Sequence, residues 1–513
     1  MAFGLPGSRS EAFRVAQRPA GDTPPMPVPI GDGQVPPLSA SVPAARSGDA
    51  GAAAPAAMTV FTVAEALDVC VAYYDRGATP SAAYQISPAT ARPDVPDGRL
   101  HLRLEPGRRY VGDSPVCFRA LQVYQRARVD AGLQRVVHVT PPAAHARLAL
   151  PPRIGRACSA ASVADEVAAR RGHGAIRVAV INIFHQAFGD VLASLVALRE
   201  LRRVLARRFR RVEIDLFQHR CNREGEALYL RSGVVGAIHP LPAPLDRLAA
   251  YDAYVDTSGE RVTPDAHWLD LCLAACGVDP ASVPAARKRM RVPIAPAAAR
   301  EVADDVARAR RQGRPVLLVH LAASSPIRAS PPAVAEAFVR EVLARTRWTV
   351  AAAVPLGIDH PRVVDWSRAS RTFDHLACLV AHADLVVSAD TVVYHLADAF
   401  DVPAAALFTS IPPACRTAYS PCVEGISLAP EPNPILGRGS SSDPEAVAHA
   451  RTMWHGLDAG PVIAALHAVV RRQRAAAADD DGGGLEPQPR YPDAPRRRAP
   501  RARRHAPALS VPA

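Results

Sequence analysis

One strand–loop–helix unit occurs twice in this chain, about two hundred residues apart, and it leaves few folds open. The first copy, AIRVAVINIFHQAFGDVLASLVALRELRRVL, starts at Ala175. Its run 176–184 is mostly apolar and β-branched, as in a strand buried on both faces. After the loop 185–189, apolar residues recur at Leu192, Leu195, Leu198, Leu201 and Leu205, which is helical spacing. The second copy, VSADTVVYHLADAFDVPAAALF, starts at the end of a buried strand, 384–388. It turns through Asp390 and Thr391 into a helix holding His395, then enters a second strand, 404–408. Such a turn places free backbone N–H groups and the positive end of a helix dipole at a sheet edge, where an anion is favoured. Asp190, beside the flexible Gly189 at the first helix start, reads either as an N-cap or as a carboxylate on a cleft rim.

Similar units flank both copies. Strands are expected at 176–184, 212–217, 234–239 and 251–256, and again at the PVLLVHLAASSPIR segment, 348–354, 384–388 and 404–408. Helical patterns separate them and a last one covers 444–472, which predicts parallel sheets with helices on both faces. The expected organisation is a Pro/Ala-rich disordered segment over 1–57 and a small β-rich module over 58–150. Two Rossmann-like domains follow at 174–300 and 301–473, then a disordered basic tail over 474–513. Met58 also reads as a true start. In the module the runs LHLRLEPGRRYV, CFRALQVYQ and LQRVVHVT all read as β structure.

Composition narrows the function. The formal net charge of +12 is concentrated at the end, where seven arginines from Arg490 onward face a single Asp493. The folded body is only mildly basic, so no specific nucleic-acid surface is expected; the tail would touch anionic lipid or RNA without specificity. No apolar run reaches the length of a membrane span, and the first residues lack the apolar core of a secretory signal. Nine scattered cysteines suit a reducing cytoplasm. Cys272 and Cys276 read as buried apolar residues, and Cys415 with Cys422 as too few ligands for a metal.

Four elements stand in order: QAFGDVLASLVALRELR, VHLAASSPIR, PLGIDH and SADTVVYHLADAFDVPAAALF. Over roughly 174–472 this order resembles glycosyltransferase family 9, the ADP-heptose heptosyltransferases. The resemblance implies a GT-B fold, with two facing Rossmann-like domains. It implies that Asp190 is the general base on the acceptor side, with Gly189 in the acceptor-side loop. On the donor side it implies that Ser324 and Arg328 meet the diphosphate, with Arg in the place of the family's Lys. Asp359 would hold a ribose, and Asp390, Thr391 and His395 the diphosphate. No metal or other cofactor is implied. The expected partners are a nucleotide sugar, ADP-heptose or another, and a glycan or glycolipid acceptor. The expected place is the cytoplasm, with peripheral contact at the inner membrane.

Two departures stand out. Val392 replaces the family's Gly, and a β-side chain resists close approach of backbone to phosphate and a positive φ. The donor then sits differently, or is another nucleotide sugar, or activity is lost. The extra N-terminal module is unlike the lipopolysaccharide enzymes, whereas heptosyltransferases of autotransporter proteins are similar in carrying an extension. The leading expectation is an inverting transferase moving a sugar, with heptose the one expected, to a hydroxyl of a bacterial surface glycan, the lipopolysaccharide core or a related one. The alternatives are a protein O-heptosyltransferase acting on an autotransporter, a silent glycosyltransferase-like binding protein, or a GT-B nucleotide-sugar epimerase.

Overall fold

The computed structural model describes residues 58–71, 84–89, 99–112, 117–181, 187–219, 222–257, 265–292 and 295–479. The expectations for 1–57, for 182–186 (the end of the expected strand 176–184 and the start of the expected loop 185–189) and for the tail beyond 479 lie outside them.

The module is built of two antiparallel sheets. Strands β1 (Thr59–Val63), β2 (Leu67–Val71), β3 (Tyr84–Pro88), β4 (Leu100–Leu104) and β5 (Arg109–Gly112) precede helix α1 (Cys117–Asp130) and strand β6 (Val137–Thr140). One sheet runs β3-β2-β4; the other centres on β1 between β5 and β6. Phe61, Val69, Tyr110 and Leu121 fill the core between them. The run CFRALQVYQ is therefore helix, not strand. Ala120, Leu121 and Tyr124 reach that core at helical spacing, and Val123 of the same run is left exposed.

The first parallel sheet starts earlier than residue 174, with β7 (Arg153–Ile154) and α2 (Ala160–Arg171). Then come β8 (Ala175–Ile181), α3 (Phe188–Leu205), β9 (Arg211–Gln218), α4 (Arg223–Arg231) and β10 (Ala237–Pro240). Short β11 (Ala243–Pro244), α5 (Leu245–Ala249), β12 (Ala253–Asp256), α6 (Trp268–Ala275), α7 (Ala285–Lys288), α8 (Pro296–Glu301) and α9 (Ala303–Arg310) complete this half. Its strand order is β10-β9-β8-β12-β7. The strand expected at 234–239 is displaced because Val234 and Val235 are spent in the turn after α4, where both are buried.

The second sheet has the order β15-β14-β13-β16-β17-β18, all parallel. It is formed by β13 (Val316–His320), α10 (Pro332–Arg345), β14 (Thr349–Ala352), β15 (Val363–Asp365), α11 (Phe373–His382), β16 (Leu385–Ala389), α12 (Val392–Ala399), β17 (Ala404–Phe408), α13 (Ala414–Thr417) and β18 (Val423–Ser427). The single helix expected over 444–472 is two, α14 (Pro444–His455) and α15 (Ala459–Asp479). Gly456 caps the first, and the second runs on past 474. The chain thus has two Rossmann-like domains with parallel sheets and a small antiparallel module, the GT-B-like arrangement expected.

The module packs on the first Rossmann-like half. Strand β11, just past β10, joins the module's sheet beside β5. The backbone N–H of Met58 donates to the buried Asp256 carboxylate at the end of β12, at 2.8 Å. Val60 and Val111 of the module meet Ile181, Phe217 and Leu241 in one apolar cluster. Each of these contacts lies at or near the carboxyl ends of the sheet's strands.

Candidate functional site

In both parallel sheets the strand order reverses beside a central strand. In the first the reversal lies between β8 and β12, in the second between β13 and β16. Ligands of open α/β sheets settle outside the carboxyl ends of strands at such points. Helix α3 follows β8, and α12 follows β16. Both expected anion-facing turns therefore stand at a switch point.

The two turns meet. A Cβ placed on Gly189 would lie 3.4 Å from His395 Cδ2 and 3.6 Å from its Nε2. Phe188 packs on Phe373 of α11 at 4.6 Å between ring centroids. Polar clamps close the rest of the seam. Lys288 Nζ donates to Asp270 Oδ1 at 2.7 Å and to the Tyr419 hydroxyl at 2.9 Å. Arg289 pairs with Asp398 and Asp401, and Arg231 with Asp374 at 2.7 Å.

Asp190 does not cap α3. Ala187 occupies the cap position and Asp190 stands in the first turn, partly buried. A carboxylate there still gains from the helix dipole. Its backbone carbonyl accepts from Ser194 Oγ at 2.7 Å, so its place in the helix is held from one turn below.

On the other side of the seam Thr391 is the true cap, its Oγ1 accepting from the Val393 N–H at 3.3 Å. Ser388 Oγ lies 3.1 Å from Thr391 Oγ1 and steadies it. Asp390 is buried, 3.6 Å from Arg328 Nη1 and 3.4 Å from the Tyr394 hydroxyl. Arg328 Nη1 also donates to the Asp390 carbonyl at 3.0 Å. The expected donor cation thus braces the turn from the neighbouring loop. Val392 begins α12, and Asp401 is the one non-glycine with a positive φ among the described residues. Of the two properties lost with the family's Gly, only close approach matters at this position.

His395 is buried, and its pKa is pushed down to about 3 by burial, then by the nearby charge of Arg416. It is a neutral imidazole. Ser324 is exposed in the loop after β13, and Asp359 is exposed in the loop after β14, one strand further from the switch point. The expected residues therefore form two groups, Gly189–Asp190–His395 and Arg328–Asp390–Thr391, with Ser324 and Asp359 on separate loops.

Sequence reasoning missed Arg416, on α13 just beyond β17. The carboxylates of Asp390, foremost, and Asp190 act on its charge. It missed His267 too, which caps α6 and whose pKa burial lowers to about 4. The one signal for Arg416 was its position after Pro412 and Pro413, which end the strand run at a sheet edge.

Residues 369–445 match the family model for glycosyltransferase family 9 (heptosyltransferase). The match spans α11 to the start of α14 and includes Asp390, Thr391, His395 and Arg416; it is narrower than the resemblance over 174–472. No curated protein matches the chain. Among solved structures, E. coli ADP-heptose LPS heptosyltransferase II is 14% identical, with a TM-score of 0.38 over 58% of this chain and 100% of that one. A family 9 glycosyltransferase from Veillonella parvula is 10% identical, with a TM-score of 0.37 over 55% and 98%. The iron-containing dodecameric glycosyltransferase TibC from enterotoxigenic E. coli is 12% identical, with a TM-score of 0.37 over 60% and 80%. Among the described residues no helix is long and apolar enough to cross a membrane.

Proposed function

Starting from a divergent, heptosyltransferase-like glycosyltransferase of family 9, we propose that this protein transfers a heptose from a nucleotide-diphosphate sugar to a hydroxyl, with inversion. The observation that carries this is the seam itself: the carboxylate-bearing start of α3 abuts His395 in the first turn of α12. In the reaction the acceptor oxygen attacks the anomeric carbon and its proton passes to Asp190. The bond from that carbon to the phosphate oxygen breaks on the opposite face, and the nucleoside diphosphate leaves with the bonding pair. The donor lies over the 390–395 turn and the loop of Ser324, with Asp359 at the ribose and Thr391 shaping the anion-facing helix start. Arg328 holds that turn. No metal is needed where protein cations and helix N–H groups carry the charge.

A second acceptor class, a protein chain, is favoured by one feature. The N-terminal module is attached at the carboxyl edge of the acceptor half through β11 and Met58, where an acceptor would approach. The test is nucleoside-diphosphate release from a panel of nucleotide sugars, with lipid-linked glycan and protein acceptors compared. Release from a heptose donor, stimulated by one acceptor class, supports the reading. Absence of release from every donor, with or without acceptor, sinks it and leaves a silent binding protein.

A further inference from the structure

We propose that Arg416 is the cation that meets the donor's diphosphate, and that Arg328 serves to hold the turn beside it. This inference rests on the transferase reading above and deepens it.

Arg416 sits at the carboxyl edge of β17, the strand next to β16 and its Asp390. Its guanidinium carbon lies 5.7 Å from the ring of Trp268, which opens α6 in the other half, so the side chain reaches the seam. Carboxylates from both halves, Asp390 and Asp190, act on its charge. Among the described residues it nevertheless forms no ion pair. Burial opposes the charge, but the pKa is still raised, with Asp390 the foremost opposing influence, so the cation is secure. Its observed contact is the Trp268 ring, and among the described residues no carboxylate neutralises it by direct contact.

The other candidates are unsuited. Arg328 is bonded to the Asp390 carbonyl and stands 3.6 Å from the Asp390 carboxylate, so much of its charge is already answered. His395 is neutral. Val392 restricts how closely phosphate can approach the first residue of α12. A departing diphosphate gains negative charge as the sugar leaves, and a guanidinium can meet two of its oxygens with a planar fork. Arg416 is placed to do this between the proton acceptor on one side and the nucleotide turn on the other.

Calorimetric titration of the full chain with ADP, UDP, GDP and CDP, and with the matching monophosphates, tests the assignment. Wild type binds at least one diphosphate. Arg416→Lys weakens that diphosphate roughly 10- to 100-fold, the range for a lost charge-assisted, bidentate contact. The monophosphate weakens much less. Arg328→Lys lowers the melting temperature and weakens both alike. In wild type, bound diphosphate protects Arg416 from arginine-directed modification, mapped by mass spectrometry, and monophosphate does not; this arm needs no variant to fold. Unchanged diphosphate affinity in Arg416→Lys, equal loss for both nucleotide types, or modification without protection overturns the role of Arg416 and leaves the transferase standing. A wild type that binds no nucleoside diphosphate removes the donor reading, and this inference with it.

Discussion

Helices α3 and α12 begin the same way in outline, each after a central parallel strand at a switch point, yet their first turns differ in kind. The start of α3 has no side-chain cap and carries a carboxylate, Asp190, in its first turn. The start of α12 is capped by Thr391, braced by Arg328 and buried from Val393 to Ala399. In the function proposed above, one unit would present negative charge to the acceptor hydroxyl and the other N–H groups, with cations around it, to phosphate. The difference teaches that each helix start keeps the dipole, while local side chains set the charge it carries.

The comparison breaks first at Asp190. Asp190→Asn should cut transfer by roughly 10²–10⁴-fold, the range for a general base. As Asp190 is not the cap, stability should change by less than about 1 kcal/mol, the worth of a first-turn charge. Turnover and a thermal melt on the same sample decide; near-normal turnover in a folded, donor-binding variant removes the base from the mechanism.

The α12 side is sharpened by acid. His395 and His267 have folded pKa values of about 3 and about 4, below the ordinary histidine value. Their stabilising contribution is therefore complete above about pH 6.5 and is lost as pH falls toward 4 and then 3. Melting between pH 7 and pH 4.5 should cost on the order of a few kcal/mol. His395→Asn should flatten that slope, and an unchanged slope would mean that this histidine is not held neutral.

A smaller effect is expected at the cap. Thr391→Ala should lose about 1 kcal/mol of stability, read by denaturant midpoint, while Thr391→Ser retains most of it. If both are neutral, the turn is held by Arg328 and Asp390 alone. The smallest change is Gly189→Ala. The added methyl would make ordinary contact with His395, and Ala favours the helix, so stability should stay within about 1 kcal/mol of wild type. A large fall in melting temperature would show a tighter seam than these distances describe.

Much of this architecture was legible because buried parallel strands are continuous apolar runs. The run at 404–408 is the strand β17 residue for residue, and 212–217 lies within β9. Boundaries failed where apolar residues served a turn, as with Val234 and Val235. They failed again where a short run satisfied two periods, as in CFRALQVYQ, whose helical form was chosen by the module's core. Asp190, Thr391 and His395 were legible as a candidate site because each follows a strand end by a few residues. Their roles were not: a cap and a first-turn carboxylate differ by three residues, and local propensity does not separate them.

What the sequence by itself determined is the pair of parallel sheets and the two loop–helix turns at their edges, since strand burial and helix amphipathicity are local patterns that persist in any context. Only the tertiary structure decided that the two helix starts touch, that Arg328 is bonded to Asp390 while Arg416 forms no ion pair among the described residues, and that His395 is held neutral. Those properties depend on which charges and which apolar surface arrive from segments distant in the chain, and desolvation at a seam has no signature in the residues on either side of it alone.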